Sequence, residues 1–254
     1  MTPRASGFAA LLPLGARGAL DRALERPLSY TARYVLSPLP ERRMVVVLGE
    51  AHVKLGLASR LGKTLVNCFE LRGVETFQRR QIALGRWLGF LIHAPRVLLR
   101  SLSFSLVKDS TIVDAKAIAM GATVELERAS AVPLSLHVAS VYLAALFSVL
   151  YATLVLRLVG APIPHWFLLL GVVFELHCYA LLPAWVLRRS PWAWLIHPGI
   201  ALVTVRDSLM ASGTLRMLHE HPQATAAIVV MGRAHVAGYV RELLDQHGFE
   251  RVEL

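Results

Sequence analysis

The chain has 254 residues, 55% of them hydrophobic and 17% charged, and a mean hydropathy of +0.52. These values are too apolar for a purely water-soluble domain, and they exclude disorder, which needs low hydrophobicity and dense charge. Two cysteines, Cys68 and Cys178, stand far apart in segments of different character, which excludes a disulfide framework and a cysteine-based zinc site.

The net charge of +10 is concentrated early: residues 1–133 hold 19 Lys and Arg against 10 Asp and Glu, and residues 188–254 hold seven against six. Residues 1–43 read as an N-terminal lead-in. Their apolar patch, Phe8 to Leu14, is short and interrupted by Pro13, a poor secretory signal; a cytoplasmic lead-in or a helix packing on the domain is expected. Residues 44–133 read as the first half of an α/β domain. Met44-Val-Val-Val-Leu48 is a continuous β-branched run of the kind buried on both faces of a parallel sheet. His52 to Leu61 has a helical pattern and Leu65 to Leu71 reads as a second strand, which together complete a βαβ unit. The stretch from Arg72 to Lys108 interleaves arginines with Trp87, Phe90, Leu91, Ile92, Leu98 and Leu99. Such a stretch suits an anionic lipid surface better than nucleic acid, for which no motif is present. Ala115 to Met120, capped by Gly121, leads into a third strand at Ala122 to Leu126.

Two apolar runs follow, Leu134 to Leu156 and Trp166 to Leu187, joined by a turn with Gly160, Pro162 and Pro164. Each is long enough to cross about 30 Å of hydrocarbon, so residues 134–187 are expected to be a two-helix transmembrane hairpin inserted into the domain. Arg128, Arg188 and Arg189 at its outer ends, against Arg157 at the turn, would make a multi-pass membrane protein with a cytoplasmic globular domain. Within the second run, Glu175 and His177 would be intramembrane polar groups. Glu175 either pairs with His137 or marks a functional position. Residues 188–254 complete the domain, with helices at Arg206 to His219 and Ala234 to Gln246, the latter stopped by Gly248. Strands are expected at Ala226 to Met231 and Phe249 to Leu254. The expected fold is therefore α/β, a mixed and largely parallel sheet with flanking helices, interrupted by the hairpin.

Gly49-Glu-Ala-His52 and Gly232-Arg-Ala-His235 occupy equivalent strand-to-helix corners. Ligands bind at the carboxyl ends of strands in open α/β sheets, where Glu50, His52, Glu70, Glu127 and His235 are all expected. Imidazole with carboxylate suits a first-row divalent metal, and glycine allows the tight turn beneath; alternatively Glu50 is a general base that activates water. Arg206-Asp207 reads either as a helix N-terminal charge pair or as part of the site. The chain has no phosphate-binding Gly-x-x-x-x-Gly-Lys-Ser/Thr loop and no Gly-x-Ser-x-Gly elbow, which argues against nucleotide hydrolysis and serine-hydrolase chemistry.

Val45-Val-Val-Leu-Gly-Glu-Ala-His52 resembles the Gly-Glu-x-His signature of the TraB family, which includes the pheromone-shutdown proteins and is similar to the GumN group and the Tiki proteases. Further similarities follow in order at Phe69 to Leu71, Ala115 to Arg128, Arg206 to Ala211 and Val230 to His235. Glu127-Arg128 stands where relatives carry Asp-Arg. The resemblance implies a hydrolase-like, peptidase-like site dependent on a divalent metal (zinc, manganese or cobalt). In it Glu50 and Arg206 would serve the chemistry, and His52, His235 and Glu70 would hold the metal. Gly49, Gly232, Asp207, Glu127 and Arg128 would complete the site. The expected partners are a lipid bilayer and a peptide or membrane protein, with an oligomer possible and no nucleic acid. A non-enzymatic regulator that sequesters a signalling peptide or inhibits a membrane protease is the alternative.

Overall fold

The computed structural model describes residues 8–38, 42–51, 56–75, 122–128, 133–188, 190 and 192–253. The chain divides into two compact units. The first comprises residues 1–77, 102–129 and 207–254, and the second residues 78–101 and 130–206.

The first unit is built on a six-stranded mixed sheet. In chain order it contains α1 (Ala16–Leu24), β1 (Tyr30–Leu36), β2 (Met44–Glu50), α2 (Gly56–Asn67), β3 (Leu71–Val74) and β4 (Val124–Glu125). The strands β5 (Ala226–Gly232) and β6 (Glu250–Val252) complete the sheet, in the order β4-β3-β5-β2-β1-β6. The strands β2, β5, β3 and β4 run parallel, and β1 lies antiparallel between β2 and β6. Every residue of β2 and β5 is buried, because each strand has a neighbour on both sides and helices on both faces. Val46, Leu48, Ile228 and Val230 face one way, onto Ala16, Ala19, Leu20 and Ala23 of α1 and Leu65 and Val66 of α2. Val45, Val47, Val229 and Met231 face the other way. They pack against Val236, Tyr239 and Leu243 of the helix over Arg233–His247, and against Met210 and Met217 of the helix over Ala201–Glu220. The period-two alternation of side chains across a strand thus turns two continuous apolar runs into the centre of a three-layer core.

Two boundaries differ from the sequence reading. The first 43 residues contribute a strand as well as a helix, since β1 pairs with β2 along its whole length, from Tyr30 opposite Glu50 to Leu36 opposite Met44. Leu65 and Val66 belong to α2, and the strand begins only at Leu71; a short apolar run fits a buried helix face as well as a strand. The helix α2 is described from Gly56, and the expected start at His52 lies outside the described residues. The expected helix at Ala115 to Met120, its Gly121 cap and most of the basic stretch from Arg72 to Lys108 also lie outside the described residues.

The second unit contains α3 (Leu134–Leu158), α4 (His165–Val186), the short α5 (Ala193–Ile196) and a 3-10 turn at Pro198–Ile200. The next helix, α6 (Ala201–Glu220), crosses from this unit into the first between Arg206 and Asp207. Both helices of the expected hairpin form, but no helix among the described residues is long and apolar enough to cross a membrane. This overturns the inserted transmembrane hairpin, the two-pass membrane localisation and the cytoplasmic orientation derived from it. A span needs about 20 consecutive predominantly apolar residues. The described stretch at the start of α3 carries Ser135 and His137, and it turns Leu136 and Ala139 into the interior of the unit, where they are fully buried with Ala184, Ala193 and Ile200. The reading of Glu175 and His177 as intramembrane groups falls with the hairpin; their side chains lie outside the described part. Along α4, Trp166, Leu169, Leu176, Tyr179, Leu182 and Val186 are exposed.

Candidate functional site

The parallel strands bring their carboxyl ends to one edge of the sheet in close register. Glu50, the last residue of β2, stands opposite Gly232 at the end of β5, and Val74 of β3 stands beside both Val230 of β5 and Glu125 of β4. Three glutamates therefore arrive at this edge, one from each of three strands: Glu50, Glu75 immediately after β3, and Glu127 two residues after β4. Glu50 is 1% exposed and Glu127 4%. Gly49 is needed directly beneath Glu50, because a Cβ there would lie 2.6 Å from Val236 Cγ2 and 2.8 Å from Thr31 Cγ2.

At the centre of the edge β5 turns directly into α7 (Arg233–His247), with Gly232 as its extended N-cap. His235 sits in the first turn and is buried. Its Nδ1 lies 2.7 Å from Asp207 Oδ1 on α6, and its Nε2 lies 3.5 Å from Glu75 Oε1. The second oxygen of Glu75 accepts the Gly232 N–H at 2.6 Å, while the Glu75 N–H donates to Val230 O at 2.9 Å. Glu75 is thus tied to β5 by its backbone and to the start of α7 by its side chain, where the unpaired helix N–H groups favour a negative charge. With Asp207 ionised, the proton on the histidine is held at Nδ1.

The β4 end is fixed by α6. Arg216 donates through Nη2 to Glu125 O at 3.1 Å and through Nη1 to Arg128 O, and Gly213 lies against the backbone of Leu126. Arg128 itself is exposed. Two helix turns beyond Asp207, the Thr214 and Tyr239 hydroxyls meet at 2.6 Å in the core between α6 and α7, and Thr214 also donates to Met210 O. Burial pushes the Tyr239 phenol well above its usual range, so it stays neutral and serves as a hydrogen-bonding post between the two helices.

The chain matches no family model, no curated protein and no solved structure. The TraB resemblance accordingly rests on the quoted segments themselves.

Of the residues singled out from sequence, Glu50, Gly49, Gly232, His235, Asp207 and Glu127 come to this carboxyl edge. Glu70 does not. It precedes β3, at the amino end of the strand, and with Arg72, His221 and Gln223 it lines a separate open cavity of about 240 Å³. Arg206 is buried, in the residue before Asp207, and belongs to the second unit. Sequence reasoning missed Glu75, because ending the strand at Leu71 made Glu70 its carboxylate. The signal was present in Leu71-Arg-Gly-Val-Glu75, a strand closing on Gly-Val-Glu, as β2 closes on Gly49-Glu50.

The donor set bears on a metal in two ways. No group of three or more His, Cys, Asp and Glu side chains among the described residues is disposed to hold a metal ion. What the described residues supply is an imidazole nitrogen facing a carboxylate oxygen, a combination suited to zinc, manganese or cobalt. Asp207 occupies the place of the outer carboxylate that fixes the tautomer of a metal-binding histidine.

Proposed function

We propose that the carboxyl edge is a hydrolytic site dependent on a divalent metal and acting on a peptide or related amide. The observation that carries this reading is the bracketing of His235, with Asp207 2.7 Å from Nδ1 and Glu75 facing Nε2. The resemblance to the TraB family supplies the substrate class. In this reading His235 and Glu75 would hold the ion, and His52, outside the described residues, is the further ligand that the TraB resemblance implies. Asp207 orients the imidazole and keeps its proton on Nδ1. Glu50, buried at the end of β2, accepts the proton of the attacking water as general base and returns it to the leaving amine. A bound divalent ion lowers the pKa of water and polarises the scissile carbonyl.

The test is a peptide-library digest with zinc, manganese or cobalt added, comparing the unaltered chain with Glu50→Gln. Turnover is expected to fall by about 10²-fold or more, the usual contribution of a positioned base, with peptide affinity unchanged. Equal turnover in the two chains would remove Glu50 from the chemistry. Peptide binding without turnover in the unaltered chain would make the edge a peptide-sequestering site instead.

A further inference from the structure

His235 and Gly238 lie three residues apart on α7, and so share one face of the helix. Both meet Asp207. A Cβ built on Gly238 would lie 1.8 Å from Asp207 Oδ2 and 2.9 Å from its Cγ, far inside any tolerated contact. The carboxylate of Asp207 therefore fills the space that a side chain at position 238 would occupy, with Oδ2 against the α7 backbone and Oδ1 on His235 Nδ1. Asp207 is 6% exposed and His235 5%, and because Cγ as well as Oδ2 falls inside 3 Å of the added Cβ, turning the carboxylate about its own bond does not relieve the contact. Glycine in a helix interior is disfavoured relative to alanine, yet here nothing larger is compatible with the pair. Gly18 of α1 gives the contrast: the nearest atom to its Cβ position is the mobile Arg22 Nη1 at 3.7 Å.

We infer that Gly238 is a positioning residue of the carboxyl-edge site: its missing side chain is the notch that admits the Asp207 carboxylate and thereby fixes the tautomer of His235. Any larger residue drives Asp207 off Nδ1, and the ring is then free to carry its proton on Nε2, the nitrogen that faces Glu75. The consequence for metal binding rests on the reading proposed above. The consequence for the imidazole does not.

The experiment is histidine ¹⁵N NMR on the full-length chain, with the His235 signals assigned by their loss in His235→Gln, followed by zinc titration of the same samples. The unaltered chain and the Gly18→Ala control are expected to show His235 protonated at Nδ1. In Gly238→Ala that form gives way to a mixture of tautomers, and zinc affinity falls by about 10- to 100-fold, as for loss of an outer-shell partner. A folded Gly238→Ala chain with the Nδ1–H form intact would overturn the inference. If Gly238→Ala does not fold, the double variant Asp207→Ala/Gly238→Ala decides: recovery of the fold identifies Asp207 as the clashing group, and failure to recover contradicts it. A tautomer shift in Gly238→Ala with no zinc bound by any chain would leave the positioning role standing and remove the metal reading alone.

Discussion

Glu75 joins three elements through one side chain and one peptide group. It follows β3, bonds to Val230 of β5, and caps the start of α7 while facing His235. Glu75→Gln keeps the size of this group and removes its charge, so the fold is expected to persist while the attraction for a cation at Nε2 is lost. At the opposite end of the unit, Tyr34 offers a test of burial that is independent of the site. Its phenol is pushed from the ordinary 10 up to about 12, first by burial and then by the nearby Asp21 carboxylate. The folded chain then holds a proton that the unfolded chain releases. Stability from this group is complete below about pH 10 and is lost as the pH rises towards 12. Urea midpoints measured between pH 9 and 12 should fall less steeply in Tyr34→Phe than in the unaltered chain, and parallel curves would show the phenol to be solvated.

The pairing of α6 with α7 is the element on which the site depends. Asp207 meets His235 and Gly238, and Thr214 meets Tyr239, so two polar contacts a short distance apart fix both the rotation and the separation of the helices. Tyr239→Phe removes a buried hydroxyl while Thr214 keeps its bond to Met210 O, and about 1 kcal/mol of stability is expected to be lost. Gly213→Ala is expected to cost more, on the order of 1–3 kcal/mol, because its Cβ would fall 1.7 Å from Leu126 O, and backbone cannot rotate away as a side chain can. Thermal unfolding of the two variants checks both the order and the size. The elements of this unit were legible where the chain is apolar on both faces, as in Met44 to Leu48 and Ala226 to Met231, and where glycine ends a helix in the left-handed region, as at Gly248 with φ +67°. They were not legible where propensity is balanced. Leu65, Val66 and Phe69 serve a helix and its exit equally well as a strand, and that ambiguity moved the expected carboxylate from Glu75 to Glu70. The contact of Asp207 with His235 joins residues 28 positions apart on helices whose packing no local pattern encodes.

For the whole molecule, apolar composition and apolar surface have to be distinguished. The chain's high mean hydropathy is shared between the two-faced core of the sheet, the buried residues Leu136, Ala139, Ala184 and Ile200, and the exposed side chains of α4. Several large exposed apolar side chains on one helix favour self-association. Replacing Leu169, Leu176 and Leu182 together with serine is expected to narrow the size distribution in sedimentation velocity while leaving the sheet unit's unfolding unchanged; an unaltered distribution would show that these side chains do not drive association. The carboxyl edge gathers residues from four parallel strands and two helices, and the proposed function requires His235 and Glu75 together to hold a divalent ion. The most direct measurement is calorimetric titration of zinc, manganese and cobalt into the full-length chain and into Glu75→Gln. Near-stoichiometric binding, weakened at least tenfold in Glu75→Gln with its fold retained, is the predicted result. Equal affinity in the two chains, or no binding by the unaltered chain, would contradict it.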